Sequence, residues 1–336
     1  MKLSILDQSP ISSGNTAGQA LQASMHLAQI GEKWGYSRYW IAEHHDLPGL
    51  ACPAPEVMLA YIGANTKKIR IGSGAVLLPH YKPYKIAETF NMLATLFPDR
   101  IDIGIGRAPG GSAEVTMALS DNFLEQVRKM PELVKHLLHF LHDDFSSDEM
   151  FSKISAAPLP VVSPEPWILG TSEKSAILAA EYGTAYAFGH FMSEKEGPAI
   201  LKRYTENFRP NGKLKHPASI LAVSAICAET TEKAEELALS SHVWQMQLAK
   251  GEGKNGIPSV EEAKQYINKS DWRQSVDNMK RKMVIGNPQE VKAKLQELQV
   301  LYEADELMIV TITHSDEDRA RSYELIANEV LTLRRD

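Results

Sequence analysis

One stretch of the chain runs from apolar residues directly into titratable ones: Tyr39-Trp40-Ile41-Ala42 is followed by Glu43-His44-His45. An apolar run of that length suits a buried parallel strand, and the C-terminal end of such a strand is where barrel enzymes build their sites. Histidine is the side chain best suited to move protons near neutral pH. Taken alone, His44 has a bland alternative, a buried histidine making structural hydrogen bonds. Adjacent strand residues point to opposite faces, so a regular strand would turn His44 and His45 apart. They lack the i, i+4 spacing of helical zinc ligands, and no metal site is expected.

Three further stretches offer binding chemistry. Gly72-Ser73-Gly74-Ala75-Val76-Leu77-Leu78-Pro79 puts two glycines inside a strand, which signals either a bulge or space for a flat ligand. Gly104-Ile105-Gly106-Arg107 ends another strand in a planar guanidinium suited to phosphate or carboxylate. A salt bridge at a barrel rim would also account for Arg107. Trp167-Ile168-Leu169-Gly170-Thr171-Ser172 leads into a helix whose first N–H groups can bind an anion, with Ser175 one turn on. Simple N-capping is the competing reading. Glu173 would weaken an anion site, so it is expected to point outward.

These residues need a scaffold that brings strand ends together. Strands are expected at Leu3–Asp7, Arg38–Glu43, Ile69–Leu78, Arg100–Gly106, Trp167–Gly170, Thr184–Phe188, Ile220–Ala228 and Glu306–Thr313, with helical patterns between them. Helices are expected over Thr16–Trp34 and Pro83–Phe97, from a capping box at Ser193–Glu196, and after Ser315. This alternation predicts a single (β/α)8 TIM barrel over residues 1–336. A doubly wound open sheet is the runner-up. It should carry a glycine-rich turn after its first strand, and Gln8-Ser9-Pro10-Ile11-Ser12 does not match. Asp121–Glu165 and Lys250–Met283 exceed a minimal barrel. They would fold over the mouth, the second as a glycine-hinged lid, or else decorate the surface.

Composition narrows the class. The chain has 336 residues, 43% hydrophobic and 23% charged, as in ordinary soluble globular proteins. A net charge of −6 gives no footprint for nucleic acid, and no apolar run approaches the roughly 20 residues of a membrane span. Two distant cysteines, Cys52 and Cys227, and an N-terminus lacking the parts of a signal peptide make a cytoplasmic location the expectation.

Together, the four stretches resemble the bacterial luciferase-like, flavin-dependent monooxygenases, in the same order along nearly the whole chain. The resemblance implies a (β/α)8 barrel, usually dimeric, that binds reduced FMN or, in one branch, a deazaflavin. It implies His44 as the acid–base residue and Arg107 as phosphate anchor, helped by Thr171, Ser172 and Ser175 beside Gly170. It also implies Gly74-Ala75 beneath the flavin ring, often with a non-prolyl cis peptide. Gly106 stands where the light-emitting α subunit has a reactive cysteine, and Thr171 where it has a carboxylate. The chain therefore looks like the broad monooxygenase group. The implied activity uses O2 and reduced FMN from a separate flavin reductase to oxygenate a small organic substrate. A deazaflavin-dependent hydride transferase and a non-catalytic flavin-binding partner subunit are the alternatives.

Overall fold

The structure is a computed structural model that describes residues 1–211, 213–267 and 282–331. Its strands are β1 (Lys2–Asp7), β2 (Arg38–Ile41), β3 (Arg70–Leu77), β4 (Ile101–Gly106), β5 (Glu165–Gly170), β6 (Ala185–Gly189), β7 (Ser219–Cys227), β8 (Met283–Gly286) and β9 (Glu306–Val310). All pairings are parallel. β1 through β7 follow in order, and β9 closes the ring between β7 and β1. The eight strands of this closed barrel are the eight expected from the sequence. β8 is an addition: among the described residues it pairs with Ser224–Cys227 at the far end of β7 alone. Four residues after a long non-strand segment leave too little periodicity for it to be read in advance.

Apolar side chains of the strands fill the barrel. Trp40 and Trp167 meet edge to face inside it, 5.4 Å between ring centroids. Leu6, Ala187, Ile220, Ala222 and Met308 pack with them. Small alanines opposite two indoles satisfy the volume a barrel interior allows, and the interior is a packed core, not a pore. Below the tryptophans lies an ionic floor. Asp102 accepts bonds from Arg38 Nη1 (2.8 Å), Arg70 Nε (2.9 Å) and Trp40 Nε1 (2.9 Å). Glu306 and Glu165 lie against the same arginines.

Several element ends differ from expectation, and β9 stops at Val310, three residues before Thr313. β2 stops at Ile41, two residues early. Beyond it the His44 and His45 N–H groups donate to the loop carbonyls of Cys52 and Gly110, which draws the chain out of the sheet. The capping box at Ser193–Glu196 does not form. Ser193 Oγ accepts from the Lys195 N–H in a local turn, and the helix runs from Gly197 to Asn207 with Pro198 in its first turn. Proline's preset φ and missing N–H favour that position. The helices expected over Thr16–Trp34 and after Ser315 form as Ala17–Lys33 and Asp316–Val330, and the Thr16 and Ser315 side chains cap them.

The long insertions also take shape. Asp121–Glu165 contains the helices Phe123–Arg128 and Met130–His142. Phe123 stacks on His80 near the mouth. Lys250–Met283 contains the helix Val260–Ile267, but residues 268–281 lie outside the described residues, and with them much of the expected lid. No helix among the described residues is long and apolar enough to cross a membrane.

Candidate active site

The barrel floor is filled, and the space above it opens at the C-terminal mouth. A cavity of about 520 Å³ lies there. Its lining includes His44 after β2, Gly74 and Ala75 of β3, Arg107 after β4, and Gly170, Thr171, Ser172 and Ser175 after β5. His44, Gly74, Ala75, Arg107, Gly170, Thr171, Ser172 and Ser175 therefore share one cavity, whereas His45 lies outside its lining. Leu6, Trp40 and Met308 form its apolar base.

The β3 wall combines both readings of its glycines. The register slips between Ser73, opposite Ile103, and Val76, opposite Ile105, so β3 bulges there. The Gly74–Ala75 peptide is cis, and both residues face the cavity. A side chain at Gly74 would fall 2.5 Å from Leu6 Cδ1. Gly104 lies on β4 beside this bulge. Its missing Cβ would lie 2.1 Å from the Ser73 carbonyl oxygen, so it accommodates the neighbouring strand and not a ligand.

On the opposite wall, Arg107 Nη2 donates to Ser172 Oγ at 3.2 Å. Ser172 caps the helix Glu173–Glu181 and accepts from the Ser175 N–H. Ser175 Oγ in turn lies 3.1 Å from Tyr186 Oη. A guanidinium beside a helix N-terminus concentrates positive potential and free donors at one corner of the cavity. Glu173 turns away, as expected, toward exposed Arg203 at 3.6 Å.

The two histidines part company, though through loop geometry and not through strand pleat. His44 lines the cavity, and its buried Nδ1 has no hydrogen-bond partner among the described residues. Burial, and secondarily the neighbouring His45, push its pKa down to about 4, so it is neutral at pH 7. His45 Nε2 instead lies 2.8 Å from Glu43 Oε1. The buried Glu43 carboxylate also accepts from the Leu77 N–H (3.0 Å) and Tyr81 Oη (2.7 Å), tying the end of β2 to the end of β3. Sequence reasoning gave Glu43 no task, because two of its partners, Leu77 and Tyr81, lie more than thirty residues away. It also missed Gln8, Phe191 and Met192 in the lining. Gln8 directly follows β1, so the strand-end rule that found the others would have found it.

A closed parallel barrel with a cavity, an arginine beside a helix N-terminus and a buried histidine at its C-terminal mouth has the architecture of an α/β-barrel enzyme. Comparison with known proteins makes the assignment specific. Residues 1–302 match the family model for luciferase-like monooxygenases. The chain is 36% identical over 336 residues to N-acetyl-S-alkylcysteine monooxygenase of Bacillus subtilis (strain 168), covering 100% of each chain. The crystal structure of apo-MsnO8 superposes with a TM-score of 0.88 at 33% identity, covering 98% of both chains. The oxygenating constituent of 3,6-diketocamphane monooxygenase of Pseudomonas putida, solved in complex with FMN, shares the fold at TM-score 0.71 and 19% identity, covering 98% of each. The chain belongs to the luciferase-like monooxygenases.

Proposed function

We propose that this monooxygenase uses reduced FMN, delivered by a separate flavin reductase, and O2 to oxygenate a small organic substrate. The observation that carries the proposal is the convergence of His44, Gly74–Ala75, Arg107 and Gly170–Ser172 on one cavity. The donor set suits the cofactor: Arg107, Ser172 and the helix N–H groups would take the phosphate, while Thr171 and Gly170 flank it and Gly74–Ala75 backs the ring. When bound, reduced FMN supplies the electrons that activate O2 for transfer of one oxygen atom. The chain's own share is to orient and to exclude water. The apolar base of Leu6, Trp40 and Met308 keeps water from beneath the ring. Neutral His44 accepts a proton or a hydrogen bond at Nδ1. The proposal includes a cytoplasmic homodimer. Val57 and Met92, exposed on the neighbouring helices Pro55–Asn65 and Pro83–Leu96, supply an apolar face for it.

Spectra recorded as FMN is titrated and chemically reduced, with oxygen uptake followed across candidate substrates, test this reading. Substrate-dependent O2 consumption with reduced FMN supports it. Binding of a reduced deazaflavin with hydride transfer and no O2 uptake would replace it.

Arg107 gives a sharper test of the anion corner. Hydrogen bonds to charged groups contribute roughly 1.5–3 kcal/mol. Arg107→Ala should therefore weaken FMN binding by about ten- to a hundredfold, as read by fluorescence quenching. Riboflavin, which has no phosphate, should lose far less. Equal losses for both ligands would remove Arg107 from the phosphate.

A further inference from the structure

A second chamber of about 310 Å³ adjoins the flavin-sized cavity. Gln8, His44, Phe191 and Met192 line both, so these four form the neck between them. Beyond the neck the walls are apolar: Leu47, Leu50, Trp244 and Ile312 form one cluster. The Trp244 indole is fixed by donating to the Pro48 carbonyl oxygen at 3.2 Å, which presents its ring as a rigid wall. The polar lining away from the neck includes Ser224, Gln245 and Lys282. No carboxylate lines the chamber among the described residues. Lys282 pairs with Glu194 at 3.5 Å, a carboxylate that is 88% exposed. Such a surface pair is weak and screened by salt, so the ammonium can exchange partners readily.

We infer that this chamber is the substrate site and that it takes a small carboxylic acid with an apolar body. The inference rests on the flavin reading above, which assigns the larger cavity to the cofactor. Lys282 supplies the counter-charge for the carboxylate, with the Gln245 amide and Ser224 hydroxyl available as further donors. The apolar body lies against Leu50, Trp244 and Ile312. That arrangement directs the far part of the substrate toward the neck, where His44 stands between the two spaces. The volume lies at the lower end of small-molecule sites, about 300–1,000 Å³, which limits the occupant to a compact acid. A cation would meet Lys282 with no opposing charge in the wall, and a neutral alcohol would leave Lys282 with its surface partner.

Ligand-observed NMR titration of the full chain with octanoate, 1-octanol and octylamine tests the inference. Octanoate should bind about tenfold or more tighter than either of the others. Lys282→Met should abolish that preference while leaving 1-octanol affinity unchanged. Leu50→Trp, or Ile312→Phe should the first fail to fold, should weaken octanoate and 1-octanol alike by filling the chamber. Equal binding of acid and alcohol by the unmodified protein would overturn the inference. So would an acid preference that survives Lys282→Met, or octanoate binding untouched by the filling variants in folded protein. FMN binding, titrated separately by fluorescence, keeps the two readings apart. Loss of FMN binding with octanoate selectivity intact would remove the flavin reading and leave an acid-binding chamber.

Discussion

Replacing His44 with alanine should lower turnover by about 10²–10⁴-fold, the usual contribution of a positioned acid–base group. The reasoning starts from its surroundings. His44 stands on the cavity wall with a buried Nδ1 that no described residue satisfies. An unsatisfied buried nitrogen costs stability, and a ligand proton or hydroxyl relieves that cost. FMN affinity should change little, because the anion corner is built after β4 and β5, on other strands. The pH dependence follows from the pKa of about 4. Neutral imidazole is the form able to accept a proton, so kcat/KM should hold from pH 7 downward and fall only as the pH approaches 4. Stability follows the same direction. The unfolded histidine titrates near 6.5 and the folded one lower, so stability from this group is full above pH 6.5 and is lost as the pH falls toward 4. His45→Ala is the internal control. Its ring is held by Glu43 outside the cavity lining, so its loss should act on loop order and leave a larger share of turnover. Unchanged turnover in the His44 variant, at saturating FMN and O2, would return His44 to a structural role.

Asp102→Ala should destabilise the fold by about 3–5 kcal/mol, the usual cost of removing one partner from a buried ion pair. The Asp102 side chain is fully buried and serves two arginines and an indole at once. Its loss strands the Trp40 N–H inside the barrel and leaves Arg38 and Arg70 to compete for the remaining carboxylates. Glu306, 3.2 Å from Arg38, and Glu165, 3.1 Å from Arg70, offset part of the loss, which places the expected value at the lower end. Asp102→Asn keeps the shape and an acceptor but not the charge, and should cost less than alanine. Urea denaturation at constant ionic strength measures both. A change below about 1 kcal/mol for Asp102→Ala would show that the remaining carboxylates carry the floor without it.

Much of the fold was legible in the chain because parallel barrel strands are buried on both faces and read as short apolar runs. Glu306–Val310 and Ile101–Gly106 stand out for that reason. β8 did not, because Met283–Gly286 is short and pairs with only one end of one neighbour. Site residues were legible where they directly follow a strand, as His44, Arg107 and Ser172 do within a few positions. The second chamber was not. Its walls come from Leu50, Trp244 and Ile312, which lie in three distant stretches, and no spacing rule connects them. Their identity as neighbours is a property of closure. The same holds for Glu43, whose carboxylate finds Leu77 and Tyr81 only once β2 and β3 lie side by side.

The barrel interior below the cavity also governs traffic. With Trp40 and Trp167 packed edge to face and the Asp102 ion cluster sealing the far end, no ligand can pass through the barrel axis. Anything seated against Leu6 and Met308 at the cavity base must enter and depart by the same mouth. Access to the base is therefore from one side. A ring lying on that base has to arrive before whatever covers it, and it stays captive until its cover has left. One-sided access is thus written into the packing of two indoles, one of which, Trp40, is itself part of the cavity base.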